Sequence, residues 1–185
     1  MKVEALPAKP GVHQLHNYEE TAANFDWTEV EKEFSWHESG KVNMAHEAID
    51  RHADSDRKNK VALYYKDQNR SESYTFYEMK RMTNRAANLL KANSNLEKGD
   101  RIFIFMPRSP ELYFLMFGAL KMGLIVGPLF EAFMEGAIYD RLDDSEAKSI
   151  ITTPELLERV PYDRLPNLET IFLVGDDVEE KDGYI

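Results

Sequence analysis

Apolar and polar residues change rhythm several times along this chain, and each change predicts an element. From Leu112 to Phe130, LYFLMFGALKMGLIVGPLF, the sequence is nearly unbroken apolar, introduced by Pro107-Arg108-Ser109-Pro110. Its length alone would suit a membrane span of roughly 18 to 25 residues. Lys121 near its middle would cost about 2.5 to 3.5 kcal/mol in a bilayer, and Gly123, Gly127 and Pro128 crowd its second half. A helix followed by a strand fits better. Ser109 is placed to be the N-cap, with Pro110 at the first helical position and Glu111 beside the positive end of the dipole. Gly123 then stops the helix. Leu124 to Leu129 is short, apolar and closed by proline, which predicts a strand buried on both faces of a parallel sheet.

The rest of the chain alternates in the same manner. Met1 to Asn17 has no periodicity and reads as an extended lead-in. Asp26-Trp27-Thr28-Glu29 has the spacing of a capping box, and Trp27, Val30 and Phe34 then share a helical face, which predicts core aromatics. Asn43 can cap a second helix with Ala45, Ala48, Ile49 and His52 in one stripe. From Lys60, VALYYKD and SESYTF are β-prone runs on either side of Gln68-Asn69-Arg70, a hairpin or a pair of edge strands. Thr75 and Glu78 open a helix whose apolar positions are Met79, Met82, Ala86, Leu89 and Leu90. Asn93 to Asn95 ends it, and Lys98-Gly99-Asp100 turns the chain into a strand at Arg101 to Met106. Beyond the long apolar run come a helix at Glu135 to Leu142, a strand at Lys148 to Thr152, a short helix begun by Thr153-Pro154-Glu155, and a strand at Glu169 to Gly175. Strands alternating with helices imply an α/β fold, a mostly parallel sheet with helical crossovers, preceded by a helical extension.

Composition narrows the chemistry. A formal net charge of -10 over 185 residues argues against nucleic acid and anionic membrane surfaces as partners. The lack of cysteine removes disulfides, thiolate metal sites and cysteine nucleophiles, and the N-terminus lacks the apolar run of a secretory signal, so a cytoplasmic location is expected. No Gly-rich dinucleotide or P-loop motif, no zinc-protease helix and no nucleophile elbow is present. The histidines are His13, His16, His37, His46 and His52, and their spacings repeat no ligand pattern. His52 reads as a structural histidine, with a base or ligand as the alternative. Asp143-Asp144 and Asp176-Asp177 read as solvated loop charges. In a doubly wound sheet the ligand site lies beyond the carboxyl ends of the strands. There, Met106-Pro107-Arg108-Ser109-Pro110-Glu111 puts Arg108 beside a helix N-terminus, either an anion contact or an ordinary capped turn. These residues alone identify no catalytic group and no metal site.

Tyr74 to Met79, then Asn84, Ala87 and Leu90, then Glu97-Lys98-Gly99-Asp100-Arg101 and Leu120-Lys121-Met122-Gly123 resemble the opening half of the adenylate-forming acyl-CoA synthetase fold. Tyr74 to Met79 is similar to the first core motif of that superfamily, and Leu120 to Leu129 to the second. Upstream, Trp36, Gly40, Asn43 and Asp50-Arg51-His52 resemble the N-terminal extension of its AMP-forming acetyl-CoA synthetases, the Bacillus-type acetate:CoA ligases in particular. The resemblance covers nearly everything from about Tyr18 onward. It implies residues 1–58 as extension and residues 59–185 as an incomplete α/β subdomain.

Members of that family join ATP and acetate, or another short acid, into an acyl-adenylate, with Mg2+ accompanying the ATP, and pass the acyl group to coenzyme A. The resemblance places the phosphate loop, the adenine and ribose motifs and the mobile C-terminal domain beyond Ile185, so the chain alone is expected to be inactive. It also implies a coenzyme A contact at Phe130 and Ala132. The family often has two glycines between the phenylalanines; Glu131 and Ala132 stand there, which weighs against a close backbone contact. Arg159 falls near a basic stretch that meets the 3′-phosphate of coenzyme A in the family, with Glu158 an equal match and a solvated helix arginine as the plain reading. A rival expectation is a non-catalytic interaction module that pairs through an open sheet edge, with another copy or with the remainder of an enzyme.

Overall fold

A computed structural model describes residues 17–175. The lead-in before Asn17, His13, His16 and the charged cluster at Asp176 to Asp182 lie outside the described residues. Two compact units divide between Lys41 and Val42.

The first unit holds three short helices: α1 (Tyr18–Ala23), α2 (Trp27–Glu31) and α3 (Trp36–Ser39). Asp26 caps α2 by accepting from the Thr28 amide at 2.9 Å. Glu29 does not close the expected box; it pairs with Lys32 at 2.6 Å. The expected core face does not form either. A helix of five residues ends before Phe34, Trp27 is 70% exposed, and Phe34 stacks on Trp36 with centroids 4.4 Å apart.

The second unit opens with a π-helical turn, His46–Asp50, running into α4 (Arg51–Ala53). The Asn43 side chain caps it, accepting from the amides of Ala45 and His46 at 3.1 Å. A hairpin of β1 (Val61–Lys66) and β2 (Ser71–Thr75) leads into α5 (Phe76–Ala92). Thr75 and Glu78 form the reciprocal box that their spacing predicts. Then come β3 (Arg101–Phe105), α6 (Pro110–Lys121), β4 (Ile125–Pro128), α7 (Glu135–Asp144), β5 (Ser149–Thr152), α8 (Pro154–Leu157) and β6 (Thr170–Leu173). The last four strands form one parallel sheet in the order β4-β3-β5-β6.

Alternation across β5 joins two cores. Ile150 packs on one face with Phe105, Ile138, Leu142 and Ile171, and Ile151 on the other with Leu90, Ile102, Ala119 and Phe172. Burying each isoleucine contributes about 1.5 to 3 kcal/mol. All four β5 residues are buried, whereas β4, expected to be covered on both faces, is an edge strand among the described residues, and its Ile125 is 58% exposed. Pro128 suits an edge, where a missing N–H costs no ladder bond.

Helices α5 and α6 approach closely because Gly118 has no side chain. A Cβ there would meet Ala86 Cβ at 2.8 Å and the Ala87 nitrogen at 2.9 Å. On α5, Leu89 is 47% exposed rather than in the expected apolar stripe; buried Thr83 takes an inward place, its hydroxyl donating to the Met79 carbonyl at 2.8 Å. Ser109 sits at the N-cap position of α6 in extended backbone, but its hydroxyl makes no capping bond. At the other end, Gly123 adopts φ +79°, the left-handed conformation that terminates helices. The Asn43 amide group donates to the carbonyls of Leu120 and Lys121 at 3.0 and 3.2 Å. That bond ties residues 42–58, assigned to the extension on sequence grounds, to α6 in the second unit.

Candidate functional site

Parallel strands aim their carboxyl ends at one edge of the sheet, and the loops that leave β3 and β4 meet there. The β4 loop folds at once into a tight turn in which the Phe133 amide donates to the Phe130 carbonyl at 2.9 Å. The two rings pack edge to face, with centroids 5.9 Å apart. Among the described non-glycine residues only Glu146 has positive φ, so Glu131 and Ala132 close this turn without needing glycine. Phe130 stays 61% exposed, and Ala132 is exposed beside it.

Two arginines hold the turn. Arg159, just past α8, donates from Nη1 to the Glu131 carbonyl at 3.0 Å. Arg141 on α7 lies over the Phe133 ring, its guanidinium carbon 4.4 Å from the centroid. The structure thus brings Phe130, Ala132 and Arg159 to one place, and Arg159 is committed to a backbone carbonyl rather than free in solvent. Arg141 has no signal in the sequence, because a cation over an aromatic ring across a turn obeys no fixed spacing. Nearby, Arg164 pairs with Glu135 at 2.7 Å and covers the Tyr139 ring at 4.5 Å.

Between the two loops is a cavity of about 700 Å3, lined by Met106, Arg108, Tyr113, Leu129, Phe130 and Glu131 among others. That size suits a nucleotide-sized ligand. The first turn of α6 bears Glu111, already engaged by Arg70 at 3.0 Å. The helix end therefore has its own negative charge beside it.

The His52 ring packs 4.9 Å from the Phe76 ring, and burial, aided by the charges of Arg51 and Arg57, pushes its pKa below 6.5. Among the described residues no group of three histidines or acids could hold a metal ion. Asp143 and Asp144 are exposed at the end of α7, as expected of solvated charges. No helix among the described residues is long and apolar enough to cross a membrane.

This parallel sheet with its helical crossovers is the partial fold of an adenylate-forming enzyme. Residues 49–183 match the model of the AMP-binding enzyme family, and the chain belongs to that family. It is 66% identical over 179 residues to the acetyl-coenzyme A synthetase of Bacillus subtilis (strain 168), a match covering 97% of this chain and 31% of that protein. It is 36% identical over 148 residues to the acetyl-coenzyme A synthetase of Methanothrix thermoacetophila, covering 78% of this chain and 22% of the relative. A crystal structure of an acyl-CoA synthetase from Brucella canis superposes with a TM-score of 0.79 at 26% identity, covering 91% of this chain and 30% of that one. The chain thus spans about a third or less of the relatives it matches.

Proposed function

We propose that this chain supplies the N-terminal part of an AMP-forming acetate:CoA ligase, which makes acetyl-CoA from acetate, ATP and coenzyme A through acetyl-adenylate. The observation that carries the reading is the 66% identity to the Bacillus subtilis acetyl-coenzyme A synthetase across nearly the whole chain. On this reading the carboxyl ends of β3 and β4 face coenzyme A. The exposed Phe130 ring offers a flat apolar surface to its adenine, Ala132 lies beside it, and Arg159 holds the turn that presents both. When bound, coenzyme A supplies the thiol that accepts the acyl group. The described residues contain no acidic cluster for Mg2+ and no glycine-rich cradle for the ATP phosphates. A cytoplasmic location goes with the same reading.

The test is a chimaera. The chain replaces the corresponding segment of the Bacillus subtilis enzyme, and acetate-dependent pyrophosphate release and acetyl-CoA formation are measured. Activity near that of the parent is expected, with none from the isolated chain. A folded but inactive chimaera, or acetyl-adenylate made by the chain alone, would overturn the reading.

The side of β6 that pairs with no strand among the described residues supports a second reading. Beside that strand is an apolar groove of about 430 Å3 lined by Met82, Leu89, Phe114, Leu115, Leu173 and Val174 among others. This edge takes a further strand, from the rest of such a ligase or from another copy of the chain. Sedimentation that shows only monomer across a concentration series would rule out the second source.

A further inference from the structure

Coenzyme A carries phosphates as well as an adenine, and a binding site for its nucleotide half needs a cation that is free to meet them. Arg159 and Arg164 already have oxygen partners, as given above. Arg141 donates to the Ala137 carbonyl at 2.7 Å and covers the Phe133 ring. Arg108 differs from all three. It is exposed, it has no hydrogen bond or ion pair among the described residues, and it lines the same cavity as Phe130.

We propose that Arg108 supplies the charge contact to a phosphate of the coenzyme A nucleotide, across the cavity that it shares with the Phe130 ring. The inference rests on the coenzyme A reading of these loops and assigns the phosphate contact to Arg108 instead of Arg159. A guanidinium presents paired N–H groups that match two phosphate oxygens, and an aromatic ring accepts a purine face. Placing both on one cavity selects an adenine nucleotide over the pantetheine arm, which has neither a base nor, beyond the diphosphate, a charge. Glu131 also lines the cavity, and its carboxylate opposes an anionic ligand. The two charged residues should therefore act with opposite sign.

The experiment is equilibrium binding of coenzyme A, 3′-dephospho-coenzyme A and pantetheine to the 185-residue chain and to its Arg108→Ala, Arg108→Lys and Glu131→Gln variants. Circular dichroism confirms that each variant folds. Arg108→Ala is expected to weaken coenzyme A binding about tenfold or more, Arg108→Lys to recover part of the loss, and Glu131→Gln to tighten binding. Pantetheine binding should be indifferent to all three. Loss toward coenzyme A but not its dephospho form assigns the contact to the 3′-phosphate, and loss toward both assigns it to the diphosphate. Wild-type binding that Arg108→Ala leaves unchanged overturns the proposal alone. No binding of coenzyme A by the wild-type chain overturns the coenzyme A reading of the loops in this chain, and the role of Arg108 with it.

Discussion

Lys121 Nζ donates to Asp50 Oδ1 at 2.7 Å, from a side chain only 12% exposed to one 17% exposed, and also to Asn84 Oδ1 at 2.6 Å. The charge that interrupts the longest apolar run is thus the partner of a carboxylate contributed from 71 residues earlier. Breaking a buried pair from one side leaves the other charge uncompensated, at a cost of about 3 to 5 kcal/mol. Lys121→Met should lower stability by an amount near the lower end of that range, because both groups keep some solvent. Lys121→Met with Asp50→Leu should recover most of it. Urea denaturation of the three proteins checks this; a single variant as stable as the wild type would show that the pair does not contribute.

The contact of α5 with α6 depends on one missing methyl group. Gly118→Ala places a Cβ 2.8 Å from that of Ala86 and 2.9 Å from backbone that cannot rotate aside. The overpacking should cost about 1 to 3 kcal/mol. Ala86→Gly removes the side-chain clash but leaves the backbone one, so the double variant should be rescued only in part. Thermal denaturation of the single and double variants measures both effects.

Acid should weaken the fold in two stages. The His52 pKa lies below 6.5 in the folded protein, so the unfolded chain takes up that proton first and stability falls as pH drops through about 6.5. Asp100 accepts from the Glu97 amide at 2.8 Å and, with burial opposing, from Lys148 at 3.0 Å, which holds its carboxyl below the usual range. Its contribution is complete above about pH 4 and is lost as pH falls through the lower, folded value. In melting temperatures measured from pH 8 to pH 2, His52→Gln should flatten the upper stage, and Asp100→Asn the lower one.

Arg159→Ala should loosen the Phe130 to Phe133 turn without unfolding the sheet. A charged donor to a carbonyl contributes about 1.5 to 3 kcal/mol, and partial exposure brings this toward 1. Hydrogen exchange at the Phe133 amide, whose bond closes the turn, should accelerate about fivefold while amides of β5 stay unchanged. An unaltered Phe133 rate would mean that Arg159 does not hold the turn.

Capping and periodicity made most elements legible. The Thr75–Glu78 box, the Asn43 cap and the helix stop at Gly123 each rest on a local rule that the fold obeys. Strand order was less accessible. Leu124–Leu129 and Lys148–Thr152 both read as short strands, and composition cannot tell which becomes the edge and which the centre, because that depends on pairing with distant strands. Trp27 misled because helix length, not spacing, decides whether a face exists. At the candidate site, Arg108 and Phe130 were each visible, but the register of β3 with β4 makes them neighbours. The bond from Arg159 to the Glu131 carbonyl was hidden, since a backbone acceptor has no residue type to recognise.

The pairing of Phe103 with Gly127 gives the sheet a direction of growth. The Phe103 ring occupies the place of a Gly127 side chain, with ring atoms 2.5 to 2.9 Å from where a Cβ would stand, and the next residue, Pro128, has no N–H to offer. A strand of four residues with these two at its end is a poor template for another chain. Among the described residues nothing comparable blunts β6, whose segment Thr170–Leu173 contains neither glycine nor proline. The two outer strands of the described sheet are therefore unlike. The β4 side disfavours a further strand, so on the sheet-edge reading proposed above a recruited strand would join at β6.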